Sequence, residues 1–319
     1  MKKNIRLIDC ETEKKQLIDQ FINPVDIELV DYLTDRKYAR NSLLAMTKDW
    51  NLFVQFCQLK HVSPLPASAT ALRLFIERES KQRKYATIKR YVITIGLFHR
   101  ILRLPDPSAT TAAKVAVSKL RLDKHGDAKP TQAFEEQHLH ELSERLSHSD
   151  HPRDIRNLAL YFVMFHCLAK RGELRDMTVD QVVETSAGNL SVVIKENRYP
   201  LDELGSELLR KWLSIRSSSS RWLFSSIDKH GNIGADKLND SSIYRIVRGA
   251  SELLGLSVQF SGQSLRVGAA KQLAKEGMKV KDIQRVGRWM SAAMPYHYLG
   301  NRSLADAERM VFKTFKPIS

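Results

Sequence analysis

Apolar residues recur with a helical period along most of this chain, and the breaks between periodic stretches carry Pro, Gly or Ser. A helix is expected over about 24–35. The next begins at Asn41 or Ser42, either a competent cap, and sets Leu43, Met46, Trp50, Phe53, Val54 and Cys57 on one face. After the turn Ser63-Pro64-Leu65-Pro66, a third helix spans about 68–80. A fourth starts near Thr87 and carries Ile88, Val92, Ile95, Leu97, Phe98 and Ile101 until Pro105 and Pro107 end it. One more is expected over 109–120. Residues 1–24 are charged, weakly patterned and interrupted at Asn23-Pro24, so they read as a flexible arm or one loose helix.

Arg121 to Pro130 is polar, with a Gly and a Pro and no apolar period, which marks an interdomain linker. Beyond it helices are expected at 135–147 and 152–172. The second is apolar on all sides (Leu158, Leu160, Phe162, Val163, Met164, Phe165, Leu168) and belongs in the middle of its domain. Leu190–Ile194 reads as a strand, with Tyr199-Pro200-Leu201 as its return. Helices follow at 203–215, 240–254, 264–276, 280–286 and 303–314. The expected organisation is an arm (1–24), a helical domain (25–122), a linker (123–130) and a mainly helical domain with one small sheet (131–319).

Charge narrows the function. Lys plus Arg number 51 against 36 Asp plus Glu, a formal net charge of +15 over 319 residues, which attracts a polyanion such as nucleic acid; a merely basic soluble protein is the alternative. The densest basic run is Arg78 to Arg90 (RESKQRKYATIKR), between the third and fourth helices. It is either a solvated face or a phosphate contact, since a basic loop at the start of a helix offers both cations and free N–H groups. Cys10, Cys57 and Cys167 are far apart and form no CxxC pair, consistent with a reduced cytosolic protein without a disulfide framework or zinc knuckle. The start lacks an apolar segment of signal length, and no apolar run approaches membrane-spanning length.

The candidate chemistry lies in Ser261–Tyr298, SGQSLRVGAAKQLAKEGMKVKDIQRVGRWMSAAMPYHY. Arg266 heads an apolar face (Val267, Ala270, Leu273, Ala274), Gly277 stops that helix, a short helix covers Val280–Val286, and Gly287-Arg288-Trp289 leads to Tyr298. A tyrosine phenol loses its proton only near pH ~10, so it is a weak nucleophile unless cations surround the group it attacks. At a DNA phosphodiester, guanidinium forks stabilise the non-bridging oxygens and the departing 5′ oxygen needs a proton donor. Two arginines and a lysine supply this without a metal, and no Asp, Glu or His cluster has metal-ligand spacing.

This block resembles the carboxy-terminal active-site block of the tyrosine recombinases, the phage integrase family, and within it most closely the Cre-type enzymes. The resemblance implies a two-domain, C-shaped clamp on duplex DNA and site-specific recombination through a covalent 3′-phosphotyrosine intermediate, without metal, ATP or other cofactor. It implies Tyr298 as nucleophile, with Tyr296 as the near decoy and Trp289 at the family's spacing of nine residues before it. Arg266 matches the family's second arginine. Lys195, after Val192-Val193-Ile194, matches the hairpin lysine expected to protonate the 5′ oxygen. The four-helix pattern resembles the family's core-binding domain and implies that Lys81, Arg83, Lys84, Lys89 and Arg90 lie near DNA.

Two positions depart from the family pattern. Its first box has an arginine three residues before a glutamate; here Lys170 stands three before Glu173, and Arg171 follows one place later. Either Lys170 acts, favoured by gap-free spacing, or a shift in the helix end brings in Arg171; lysine keeps the charge but loses the fork. Gln263 stands where a histidine is common, and glutamine donates a hydrogen bond but cannot exchange a proton near neutral pH. These departures also admit a DNA-binding accessory protein that kept the fold and lost the chemistry. A hairpin-telomere resolvase or type IB topoisomerase is disfavoured by the compact length. The expected partners are double-stranded DNA bearing a specific recombination site and further copies of the chain, a tetramer on two sites. The expected setting is a mobile element in the bacterial cytoplasm. The tail residues Leu304, Ala307, Met310, Val311 and Phe315 form an apolar face that docks into a neighbouring subunit or packs back on its own domain.

Overall fold

The computed structural model describes residues 4–127 and 130–314, with side chains through Val311. The chain divides into two compact units, Met1–Lys129 and Pro130–Ser319.

The first unit is helical: α1 (Glu11–Phe21), α2 (Ile27–Leu33), α3 (Arg40–Leu59), α4 (Ala69–Ser80), α5 (Tyr85–Ile101) and α6 (Thr111–Asp123). Asp26, Ser68 and Thr110 cap α2, α4 and α6 by accepting the N–H of Leu29, Ala71 and Ala113. Helix α3 starts ahead of both expected caps, with Ala39 at its N-cap. The core is aromatic, with Trp50 5.1 Å from Phe98, Phe21 edge-on to Phe98 at 5.5 Å and Phe53 edge-on to Phe75 at 5.2 Å. Of the two readings of the amino-terminal residues, a helix is found, and it is packed on the core instead of loose. Leu17 and Phe21 are buried, the Trp50 indole donates to the Phe21 carbonyl at 3.1 Å, and Ile8 N–H donates to Ile101 at 2.9 Å. Their apolar stripe (Leu17, Ile18, Phe21) is short and follows the charged Glu11, Glu13, Lys14 and Lys15, which is why periodicity alone underweights it.

The second unit contains α7 (Glu136–Leu146), α8 (Pro152–His166), α9 (Arg171–Arg175), β1 (Val182–Glu184), β2 (Leu190–Ile194), β3 (Asn197–Pro200), α10 (Glu203–Ile215), β4 (Ser225–Ile227), β5 (Ile233–Lys237), α11 (Asp240–Leu253), α12 (Gly262–Lys275), α13 (Val280–Val286), α14 (Ala293–Tyr298) and α15 (Arg302–Thr314). As its composition predicts, α8 is central: every residue from Leu158 to Phe165 is buried, against α7, α10 and α12. Its end differs from expectation. The helix stops at His166 instead of running to 172, Leu168 takes a left-handed φ of 46°, and a separate short helix starts at Arg171.

Two sheets replace the single one expected. In the antiparallel β1-β2-β3 sheet Val192 pairs with both Val182 and Tyr199, and Lys195-Glu196 forms the turn between β2 and β3. The β4–β5 ribbon was hidden because its strands are polar; Asp228 closes its turn by accepting the N–H groups of His230 and Asn232 at 2.8 and 2.9 Å. Helix α15 packs on α14 through buried Ala305 and leaves Leu304, Met310 and Val311 exposed; Phe315 lies outside the described residues. No helix among the described residues is long and apolar enough to cross a membrane.

Candidate active site

The break after α8 places the first pair of candidate cations. Lys170 is extended (φ −77°, ψ 153°) as the N-cap of α9, and Glu173, three residues on, accepts its backbone N–H at 2.9 Å. The Lys170 ammonium lies 3.4 Å from the same carboxylate. Arg171 is the first helical residue, and its stem runs so close to Gly262 that a Cβ there would come within 3.0 Å of Arg171 Cγ. Lys170 and Arg171 both line a cavity of about 390 Å³, with Tyr244, Ser261, Gly262, Gln263 and Arg266. Proximity alone therefore does not choose between them. Tyr244, which sequence reasoning missed, accepts a hydrogen bond from Arg248 one turn along α11 at 2.6 Å.

Helix α12 brings in the remainder. Ser264 accepts the N–H of Ser261 at 3.0 Å and so fixes the helix start from which Gln263 and Arg266 project. Gly268 permits that position, because a Cβ there would run into the Phe134 carbonyl. Arg266 is 9% exposed; its guanidinium carbon lies 4.5 Å from the centroid of the Trp289 ring, and Nη2 donates to the Gly287 carbonyl. Its Nε has no hydrogen-bond partner among the described residues, and burial pulls its pKa down. A guanidinium held this way keeps donor capacity that the surrounding residues do not use. Gln263 Nε2 donates to Tyr298 Oη, and the Tyr298 ring meets Trp289 edge-on at 5.7 Å. Tyr298 is buried at the end of α14; Tyr296, two residues earlier, makes no side-chain hydrogen bond among the described residues. Trp289 needs Gly287 beneath it, since a Cβ on Gly287 would overlap its ring.

A second arginine was not singled out by sequence reasoning. Arg288, with a side chain 6% exposed and a left-handed φ of 55°, donates from Nε and Nη2 to both Glu173 oxygens at 3.1 and 2.7 Å. It also reaches the carbonyls of Cys167 and Leu168 at 3.1 Å each, that of Val286 at 3.1 Å, and the Tyr199 hydroxyl. Burial alone would raise the Glu173 pKa; the Arg288 guanidinium and the Lys170 N–H instead hold it down at about 2. The only sequence signal was an arginine directly before Trp289, with nothing to mark it as buried.

The remaining candidates stand apart from the cavity lining. Lys195 is exposed in its hairpin turn at a left-handed φ of 58°, and among the described residues its ammonium makes no hydrogen bond or ion pair. In the first unit Lys81, Lys84 and Lys89 are exposed without an ion pair among the described residues, and Arg83 lies 3.8 Å from Glu79. Arg90, with half of its side chain exposed, binds both oxygens of the buried Asp49 through its fork at 2.8 and 2.9 Å. The first N–H of α5 donates to Asp127 at 2.7 Å. Among the described residues no three His, Cys, Asp or Glu side chains are grouped to hold a metal ion.

Comparison with known proteins gives a consistent result. The model of the phage integrase family matches residues 132–303. The chain is similar to the Cre recombinase of Escherichia phage P1, with 23% identity over 315 residues that cover 89% of this chain and 91% of that one. It is also similar to an integrase/recombinase XerD homologue of Selenomonas ruminantium, with 25% identity over 286 residues and 83% of each chain covered. Among solved structures it superposes on the XerH site-specific recombinase bound to palindromic difH substrate in a post-cleavage complex. There the TM-score is 0.64 at 13% identity, covering 97% of this chain and 90% of that one, a likeness of fold.

Proposed function

The chain belongs to the phage integrase family and is a tyrosine recombinase, a DNA strand-transfer enzyme; from that premise we propose that Tyr298 cuts and rejoins DNA at a specific site through a 3′-phosphotyrosyl bond. One arrangement carries this proposal: the buried Arg266, its Nε unpartnered, lines the same cavity as Gln263, which is bonded to Tyr298 Oη. With a scissile phosphate in that cavity, Arg266 and Lys170 neutralise the charge on the non-bridging oxygens. Tyr298 Oη attacks phosphorus, the bond to the 5′ oxygen breaks, and that oxygen takes a proton from Lys195, carried in by the hairpin turn. Gln263 stabilises the developing phenolate as a donor but cannot keep its proton, which leaves to solvent. One ester is exchanged for another, so a 5′ hydroxyl of a second strand reverses the step without ATP.

Exchange between two duplexes needs four such tyrosines, hence a tetramer on DNA, with the exposed Lys81, Lys84 and Lys89 of the helical first unit contacting phosphates. Among the described residues no helix is long and apolar enough to cross a membrane; we place the assembly with its DNA site in the cytoplasm. The test is covalent trapping. Wild type and Tyr298→Phe are mixed with restriction fragments of the DNA around the gene, quenched in SDS, and examined for attached protein. An adduct with wild type alone supports the reaction, and sequencing its end identifies the site. Specific binding on a native gel with no adduct favours instead an accessory DNA-binding protein, to which Lys170 and Gln263 in place of the family's arginine and histidine already point.

A further inference from the structure

Strand transfer as described leaves Arg288 unused, although it makes more polar contacts than any other side chain around the cavity. We propose that Arg288 is a positioning residue that locks Glu173, so that Glu173 in turn presents Lys170 to the phosphate. The inference rests on the strand-transfer reading above. Its geometry is a saturated carboxylate. Glu173 Oε1 accepts from Arg288 Nε at 3.1 Å and pairs with Lys170 Nζ at 3.4 Å; Oε2 accepts from Arg288 Nη2 at 2.7 Å and from Lys170 N–H at 2.9 Å. A carboxylate has about four acceptor sites, so two hold Arg288 and two hold Lys170. Glu173 cannot turn toward solvent without breaking the fork that grips it.

The rest of the guanidinium fixes what surrounds this pair. Its bonds to Cys167 and Leu168 satisfy carbonyls left open where α8 ends, its bond to Tyr199 ties in the strand that follows the Lys195 turn, and its bond to Val286 ties in the end of α13 before Trp289. With 6% of the side chain exposed and every nitrogen engaged, Arg288 is not itself a ligand for DNA. The arrangement answers a specific deficit. Lysine offers one ammonium on a flexible stem where a guanidinium would be rigid and two-pronged. Anchoring Lys170 by both its backbone N–H and its Nζ to an immobilised Glu173 restores part of that rigidity. The fork has moved inward, where it orients the cation instead of touching the phosphate.

The experiment measures the rate of SDS-stable adduct formation on the fragment trapped by wild type, with native-gel binding and thermal melting alongside. Arg288→Lys keeps the charge and loses the fork; the pair Arg288→Met with Glu173→Gln removes both charges and leaves no buried ion alone, guarding against a variant that fails to fold. Each is made with Lys170 and with Lys170→Ala. Displacing a phosphate-binding cation by an ångström costs about a hundredfold in rate, so the expected result is a loss of about that size for either change while Lys170 is present, with binding retained. In Lys170→Ala the same changes should cost almost nothing more. A folded variant that forms adduct at the wild-type rate, or equal losses in both backgrounds, would overturn the proposal while leaving the strand-transfer reading intact. No adduct from wild type would bring down both.

Discussion

The surroundings of Arg266 and of Arg288 show two opposite uses of a buried guanidinium. Around Arg288 the fold provides a carboxylate, three backbone carbonyls and a phenol, and the pKa rises despite burial because Glu173 holds the proton on. Around Arg266 it provides one carbonyl and the face of Trp289, leaves Nε without a partner, and the pKa falls with burial. The first arrangement is structural, a charge neutralised within the protein. The second is unfinished without an outside anion. Burial and residue type are the same in both places; the count of partners separates a cation that holds the site together from one that works in it.

That contrast breaks most directly at Arg266. Arg266→Gln should lower adduct formation by about a thousandfold, the scale of removing a preorganised oxyanion donor, while melting stays level or rises because an uncompensated buried charge is gone. A large fall in melting temperature would put Arg266 in the structural class. Next, Lys170→Ala should slow trapping by about a hundredfold and Arg171→Ala far less; equal losses would mean that both cations share the phosphate. Glu173 supplies a pH test of comparable size in free energy. Its carboxyl is held at about 2 against an ordinary 4.5, so its stabilisation is complete above pH 4.5 and lost as pH falls from there toward 2. That contribution is on the order of 3 kcal/mol, and acid melting curves of wild type and the Arg288→Met, Glu173→Gln pair should converge over that window. Parallel curves would sever the Arg288–Glu173 link.

In the proposed reaction Lys195 is a working cation: among the described residues its ammonium has no ion-pair or hydrogen-bond partner, and its backbone is strained at φ 58°. Lys195→Gly should raise stability by up to about 1 kcal/mol while slowing cleavage, a trade that an idle surface lysine would not show. The smallest effect is expected at Gln263→His, where trapping should stay within a few-fold of wild type or increase, since either side chain donates to Tyr298 Oη and only histidine also exchanges a proton.

Much of this was legible before folding was considered. Helical periodicity and caps such as Ser68 and Thr110 locate most helices within a few residues, because those signals are local. Tyr298, Trp289, Gln263 and Arg266 belong to a single block of 38 residues, and the structure keeps them together. What was missed depended on distant partners. The end of α8 looked continuous because Cys167, Leu168 and Ala169 extend its apolar run; the break is held by Arg288, more than a hundred residues away. Arg90 sits in a basic run that reads as a DNA face, and nothing in that run shows its pairing with Asp49, 41 residues earlier.

The sequence by itself thus determined the candidate residues and most of the helices that carry them, since side-chain pattern and spacing are properties of a stretch of chain. Only the tertiary structure decided which cations are spent and which remain free. A charge is neutralised by whatever lies within about 3 Å of it, and that neighbour is chosen by the folded backbone.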